Sequence, residues 1–140
     1  MGIRVLCDGC FDGLHPGHLA HLRAAAKLGD ELLVALTADE HVNKGQGRPV
    51  FPWLQRAAML RALRCVDTVY MVDSGKQAIE YLKPDIYVKG AEYRGRLPEQ
   101  ELVESYGGRV VFLDTSPVYS STDLLTGKYL EDRVRAARAG

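Results

Sequence analysis

A short apolar run, Ile3-Arg4-Val5-Leu6-Cys7, passes through the turn Gly9-Cys10-Phe11-Asp12-Gly13-Leu14-His15-Pro16-Gly17-His18 into an alanine- and leucine-rich stretch ending near Leu28. Apolar residues of strand length, then glycine and proline, then Leu19, Leu22, Ala26 and Leu28 near helical spacing predict strand, turn and a helix over about 18–28. The same alternation recurs down the chain. Strands are expected at 31–37, 68–72, 86–89 (closing in Gly90) and 109–113, and helices at about 52–64, 76–82 and 98–106. A last helix begins near Ser121 or Thr122 and leads into a charged, alanine-rich tail. Glu31-Leu32-Leu33-Val34-Ala35-Leu36-Thr37 is nearly continuous in apolar residues, the mark of a strand buried on both faces of a parallel sheet. Strand and helix alternating in this way predict an α/β fold, a single doubly wound five-stranded parallel sheet with helices on both faces.

Local signals support these elements. Gly29 is expected to end the first helix at the position after its cap. Pro52 opens the second, where a missing N–H costs nothing. Trp53, Ala57, Leu60 and Leu63 share its buried side, whereas Arg56 and Arg61 require polar surroundings. Glu99 and Glu101 suit the first turn of the helix that Gly107-Gly108 ends.

At 140 residues the chain has the size of one domain, 1–140, with the helical tail at about 122–140. Its formal net charge of +0 and the lack of a basic run give no support to nucleic-acid binding. No apolar stretch approaches a membrane span, and no signal-peptide pattern precedes the first strand, so a cytoplasmic location is expected. Cys7, Cys10 and Cys65 make no disulfide framework. Cys7 and Cys10 form a C-x-x-C, but no second pair exists for zinc and the turn continues to Gly17 before a helix can open. Cys7 is read as core and Cys10 as a turn residue.

In such folds ligands bind at the carboxyl ends of the strands, where strand order reverses. The loops concerned are 8–18, 37–50, 73–76, 89–97 and 114–122. After strand one, Gly9, Gly13 and Gly17 allow close backbone approach, a helix N-terminus offers N–H groups to an anion, and His15 and His18 add donors. The spacing is neither a P-loop nor the G-x-G-x-x-G fingerprint. Lys44 and Arg48 follow strand two, Arg56 lies one turn into the next helix, Lys89-Gly90 ends strand four, and Ser120-Ser121-Thr122 follows strand five. Taken singly, each cation reads as a solvated charge, the hydroxyls as an N-cap and the histidines as incidental. Their convergence on one end of a parallel sheet is what suits a triphosphate. No Ser/His/Asp set or base-paired cysteine is evident, so chemistry by positioning and charge stabilisation is expected, without a covalent intermediate.

His15-Pro16-Gly17-His18 after Gly9-Cys10-Phe11-Asp12 resembles the His-x-Gly-His signature of the nucleotidyltransferase superfamily, whose fold is Rossmann-like. Lys27-Leu28-Gly29-Asp30, Arg48-Pro49-Val50, Gln55-Arg56, Val66-Asp67, Lys83-Pro84-Asp85, Val88-Lys89-Gly90 and Ser120-Ser121-Thr122 extend the resemblance across nearly the whole chain. In register they resemble the adenylyltransferase domain that makes ADP-activated heptose from heptose 1-phosphate and ATP; the glycerol-3-phosphate cytidylyltransferase group is similar. Ala91, Glu92 and Ser121 depart from the pattern, where glycine, aspartate and threonine are usual.

The resemblance implies His15, His18 and Lys44 as catalytic residues. It implies Cys10, Phe11, Gly17, Arg56, Lys89 and Gly90, with Ser120, Ser121 and Thr122, as nucleotide-binding, and Asp12, Lys44 and Glu92 as substrate-binding. Mg²⁺ would be held mainly through phosphate oxygens, with no firm protein ligand. The partners implied are a nucleoside triphosphate, ATP favoured, and a phosphorylated small molecule; relatives of this kind are commonly homodimers. Two alternatives stay open: a CTP-dependent cytidylyltransferase acting on glycerol 3-phosphate or another alcohol phosphate, and a non-catalytic nucleotide-binding regulatory domain.

Overall fold

The computed structural model describes residues 2–114. Strands β1 (Arg4–Gly9), β2 (Glu31–Thr37), β3 (Thr68–Val72), β4 (Ile86–Gly90) and β5 (Arg109–Leu113) form one five-stranded sheet in the order β3-β2-β1-β4-β5. Every pairing is parallel. The helices are α1 (Pro16–Ala26), α2 (Trp53–Arg61), α3 (Gly75–Leu82) and α4 (Gln100–Ser105).

Because side chains alternate along a strand, the sheet feeds two cores. Val5, Cys7, Leu32, Val34, Leu36, Ile86 and Val88 pack with Leu22 and Ala25 of α1 and Trp53, Ala57 and Leu60 of α2. Leu6, Leu33, Ala35 and Tyr87 pack with Ala78, Ile79 and Leu82 of α3 and Val103 of α4. Helices therefore cover both faces, which is why β2 carries its unbroken apolar run. Leu22 is fully buried, and a leucine so placed contributes about 2–3 kcal/mol. The chain works outward from β1 through β2 to β3, then crosses back to β4 on the other side of β1. The strand order thus reverses between β1 and β4, and the loops above that gap define the site.

Two local details differ from the sequence reading. Helix α1 begins at Pro16 with His15 as its N-cap and ends with Lys27 as its C-cap. Gly29 is accordingly no left-handed terminator. A Cβ there would lie 2.7 Å from the Ile3 carbonyl oxygen and 2.7 Å from Val5 Cγ2, so the glycine serves the close passage of the chain beside β1. Gly107, with φ +93°, takes the left-handed conformation beyond α4, as expected of that glycine. The expected last helix, with Ser120, Ser121, Thr122 and the tail, lies outside the described residues. Among the described residues no helix is long and apolar enough to cross a membrane.

Candidate active site

The β1–α1 turn is built around a backbone that glycine alone would adopt easily. Phe11, with φ +45°, occupies the left-handed region, and Gly13 follows at φ +97°. A non-glycine residue held there costs on the order of 1–3 kcal/mol, which surrounding contacts must offset. The ring of Phe11 supplies some of them. It is buried, lies so close to Gly9 that a Cβ there would meet its Cε2 at 3.0 Å, and meets His18 edge-on at 5.2 Å between centroids.

His15 then caps α1 with its ring. Its Nδ1 accepts from the Gly17 N–H at 3.1 Å and the His18 N–H at 3.4 Å. An acceptor Nδ1 fixes the tautomer, so the proton sits on Nε2. This changes the origin of the donors. Pro16 has no N–H, those of Gly17 and His18 are turned onto His15, and that of Leu19 bonds the His15 carbonyl at 3.2 Å. The helix mouth therefore presents imidazoles, with His18 Nε2 open to the crevice and His15 Nε2 buried, where the sequence reading expected backbone N–H groups. Gly17, expected to bind nucleotide, lines the crevice with its N–H already engaged.

The two imidazoles stack, with centroids 3.7 Å apart and planes at 21°. Desolvation by burial, followed by the neighbouring His15, Lys44 and His21, pushes the His18 pKa down to about 3. The ring is neutral at physiological pH. Its Nδ1 is buried and has no hydrogen-bond partner among the described residues, so Nε2 is the nitrogen open to the crevice. An anion beside it would reverse the cationic part of that shift.

These groups border a crevice of about 550 Å³ above the β1/β4 gap. Cys10, Phe11, His15 and His18 form one wall, Lys89, Gly90 and Glu92 the opposite one, and Lys44 reaches the rim from the β2–α2 loop. Most of the site residues read from the sequence are brought together here. The carboxylate of Glu92 folds back over Gly90, filling the space a Cβ would need.

Asp12 and Arg56 lie outside that lining, and both are engaged with the protein's own groups. Asp12 is fully buried and accepts from Arg48 Nε at 2.7 Å, the Val50 N–H at 2.8 Å and the Phe51 N–H at 2.9 Å. Its carboxyl lies below the ordinary range: burial pushes it up, and these three bonds with the Arg48 charge outweigh that. Asp12 therefore ties the end of the β2–α2 loop to the β1–α1 turn. Arg56 is only 2% exposed. Its Nε donates to the Phe51 carbonyl at 2.8 Å and its Nη1 to those of Cys10 and Thr37, each at 2.9 Å, while Nη2 pairs with Asp39. Three of its donors join three backbone segments and a fourth holds Asp39, so it braces the site from behind.

The sequence matches the cytidylyltransferase-like family over residues 6–126. The chain belongs to that family. A D-beta-D-heptose 1-phosphate adenylyltransferase of Bordetella bronchiseptica is 44% identical over 127 residues, covering 86% of this chain and 78% of that protein. A relative named bifunctional protein HldE, from Streptomyces coelicolor, is 44% identical over 129 residues, covering 89% of this chain but 28% of that one. The chain thus spans little more than a quarter of such relatives' length. Among solved structures, the lipopolysaccharide core biosynthesis protein of Thermoplasma volcanium matches with TM-score 0.67 at 31% identity, covering 86% of this chain and all of that one. Membership agrees with the family that the His-x-Gly-His resemblance implied, on the Rossmann-like fold expected.

The family pattern did not point to Asp8 and His21, yet both line the crevice. His21 lies three residues beyond His18 on α1, the spacing that keeps side chains on one helical face. Burial, then Lys89, pushes its pKa down, against the opposing pull of Glu92 and Asp8. Helical spacing was the signal available for it. Asp8 is the penultimate residue of β1, and its site role follows from strand register alone.

Proposed function

We propose that this protein transfers a nucleoside monophosphate from a nucleoside triphosphate, ATP favoured, to the phosphate of a sugar phosphate such as heptose 1-phosphate, with release of pyrophosphate. The observation that carries this reading is the stacked His15–His18 pair at the mouth of α1, facing Lys89 across the switch-point crevice with Lys44 above. The choice of ATP and heptose rests on the Bordetella bronchiseptica relative, a D-beta-D-heptose 1-phosphate adenylyltransferase.

In this reading an oxygen of the acceptor phosphate attacks the α-phosphorus in line, the bond to the β-phosphate bridging oxygen breaks, and pyrophosphate leaves. No protein nucleophile takes part. His15 and His18 donate through Nε2 to oxygens of the α-phosphate, and those bonds strengthen as charge shifts in the transition state. Both rings are positioned before substrate arrives, so the reaction has no reorganisation of them to wait for. Lys44 neutralises the triphosphate as its loop closes, and Lys89 adds charge from the opposite wall. The histidine and lysine donor set fits phosphate oxygens better than a bare cation. Mg²⁺ is accordingly read as entering with the triphosphate, as part of the substrate, where it screens the β and γ charges.

The test is pyrophosphate release over a grid of the four nucleoside triphosphates against heptose 1-phosphates, hexose 1-phosphates, glycerol 3-phosphate, phosphocholine and phosphoethanolamine, with Mg²⁺. Turnover with ATP and a heptose 1-phosphate is expected. Turnover with CTP and glycerol 3-phosphate would replace the substrates while keeping the class. A dark grid with ATP still raising the melting temperature would favour a binding domain.

A further inference from the structure

Lys89 does not stand alone in the crevice wall. Its Nζ lies 3.3 Å from Asp8 Oδ1 and 4.4 Å from the centroid of the Tyr93 ring. Both members of the ion pair are largely enclosed, with side chains 16% and 15% exposed. A lysine in open solvent samples many rotamers, whereas this ammonium is held between a carboxylate and an aromatic face.

The carboxylate is itself held from behind. Tyr87, 1% exposed and on the same face of β4 as Lys89, sets its hydroxyl beside that carboxylate, and its phenol is pushed up by burial and then by the Asp8 charge. Gly75, the first residue of α3, completes the seat. A Cβ there would lie 2.5 Å from Asp8 Oδ2 and 2.8 Å from the Tyr87 hydroxyl. A glycine at the start of a helix gives up propensity, and here its bareness leaves room for the carboxylate. Gly75, Tyr87 and Asp8 thus form a continuous support on the α3 face of the sheet, the face that Lys89 shares.

We propose that Asp8 is the positioning residue for Lys89, and that Tyr87 and Gly75 hold Asp8 so that the ammonium is presented at one fixed place in the nucleotide crevice. The inference rests on the reading of Lys89 as a nucleotide ligand. Asp8 touches no reacting atom in this account. Its contribution is to spare the lysine the loss of conformational freedom when a phosphate binds.

The test compares nucleotide KM, turnover and melting temperature for Asp8→Ala, Asp8→Asn and Gly75→Ala, each with Lys89 intact and in a Lys89→Ala background. Asp8→Ala and Asp8→Asn remove the same charge, so a difference between them reports positioning and not a change in local potential. Asp8→Asn keeps an acceptor for Lys89 and should stay within about twofold of the parent in nucleotide KM, while Asp8→Ala and Gly75→Ala raise it by about fivefold or more. In the Lys89→Ala background those increases should shrink below about twofold, because the group being positioned is gone. A change in melting temperature without a change in KM would overturn the proposal, as would equal KM values for Asp8→Ala and Asp8→Asn or full additivity with Lys89→Ala. Lys89→Ala alone leaving nucleotide KM unchanged would instead overturn the reading of Lys89. Should Gly75→Ala fail to fold, Tyr87→Phe, which removes only the hydroxyl behind Asp8, takes its place with the same expectation.

Discussion

The mouth of α1 and the β2–α2 loop both supply cationic or donor groups to the same crevice, yet they are built in opposite ways. At the helix mouth every group is fixed: His15 by its own helix cap, His18 by the stack on His15 and the edge of Phe11. In the loop, Lys44 is exposed beside Gly45 and Gly47, both at positive φ with nothing within 4 Å of where a Cβ would be. The loop is nevertheless tied at both ends, through Arg56 to Asp39 and Thr37 at its start and through Asp12 to Arg48, Val50 and Phe51 at its close. A fixed pair suits a reaction centre, where donors must already stand where charge will change. A tethered, open loop suits capture, where a charge must follow the ligand in.

Breaking the fixed half should have the largest effect. His15→Ala removes donor and cap together and is expected to lower turnover by roughly 100- to 1,000-fold, with a loss of about 1 kcal/mol from the cap. His15→Asn keeps a capping acceptor, so its melting temperature should recover while turnover does not. Recovery of turnover in that variant would make His15 a cap and nothing more.

Breaking the bracing of the open loop comes next. Arg56→Ala leaves the Cys10, Thr37 and Phe51 carbonyls without their buried donor and should cost about 3 kcal/mol or more. Arg56→Lys should not restore it, since one ammonium cannot reproduce the fork. A melting temperature within a degree of the parent would contradict the bracing role. Lys44→Ala leaves the fold intact and is expected to raise nucleotide KM by about tenfold and lower kcat a few-fold, since a closing loop contributes to both. Unchanged kinetics would leave Lys44 a surface charge.

The smallest effect is on pH dependence. With its folded pKa pushed to about 3 from an ordinary 6.5, His18 favours folding fully above pH 6.5, and that contribution is lost as pH falls toward 3. Melting temperature should therefore decline between pH 6.5 and 5, less steeply in His18→Asn. Equal slopes in the two proteins would contradict it.

What could be read from the sequence follows the range of the interactions involved. The parallel sheet was legible because β2 and β4 carry their burial in their own residues, and α2 because Trp53, Ala57 and Leu60 repeat at helical spacing. The convergence of His15, His18, Lys44 and Lys89 was legible because a doubly wound sheet sends all their loops to one edge. The partners of Arg56 and Asp12 were not legible: apart from Phe51, five residues before Arg56, they lie 17 to 46 and 36 to 39 residues away in the chain, where no local pattern reaches. Position within α2 did show that Arg56 needs polar company, and only the packed structure shows that carbonyls and Asp39 provide it. His15 escaped notice as a cap because an imidazole acceptor replaces the usual Ser, Thr, Asp or Asn, although Pro16 in the first turn marked the true start.

The measurement that tests the fixed-mouth account most directly is the Mg·ATP dissociation constant of His18→Ala set beside its single-turnover rate with ATP and a heptose 1-phosphate. A rate lower by roughly 100-fold or more is expected, with the dissociation constant within a few-fold of the parent. A dissociation constant that rises as far as the rate falls would show that His18 holds the nucleotide and does not act on the transition state.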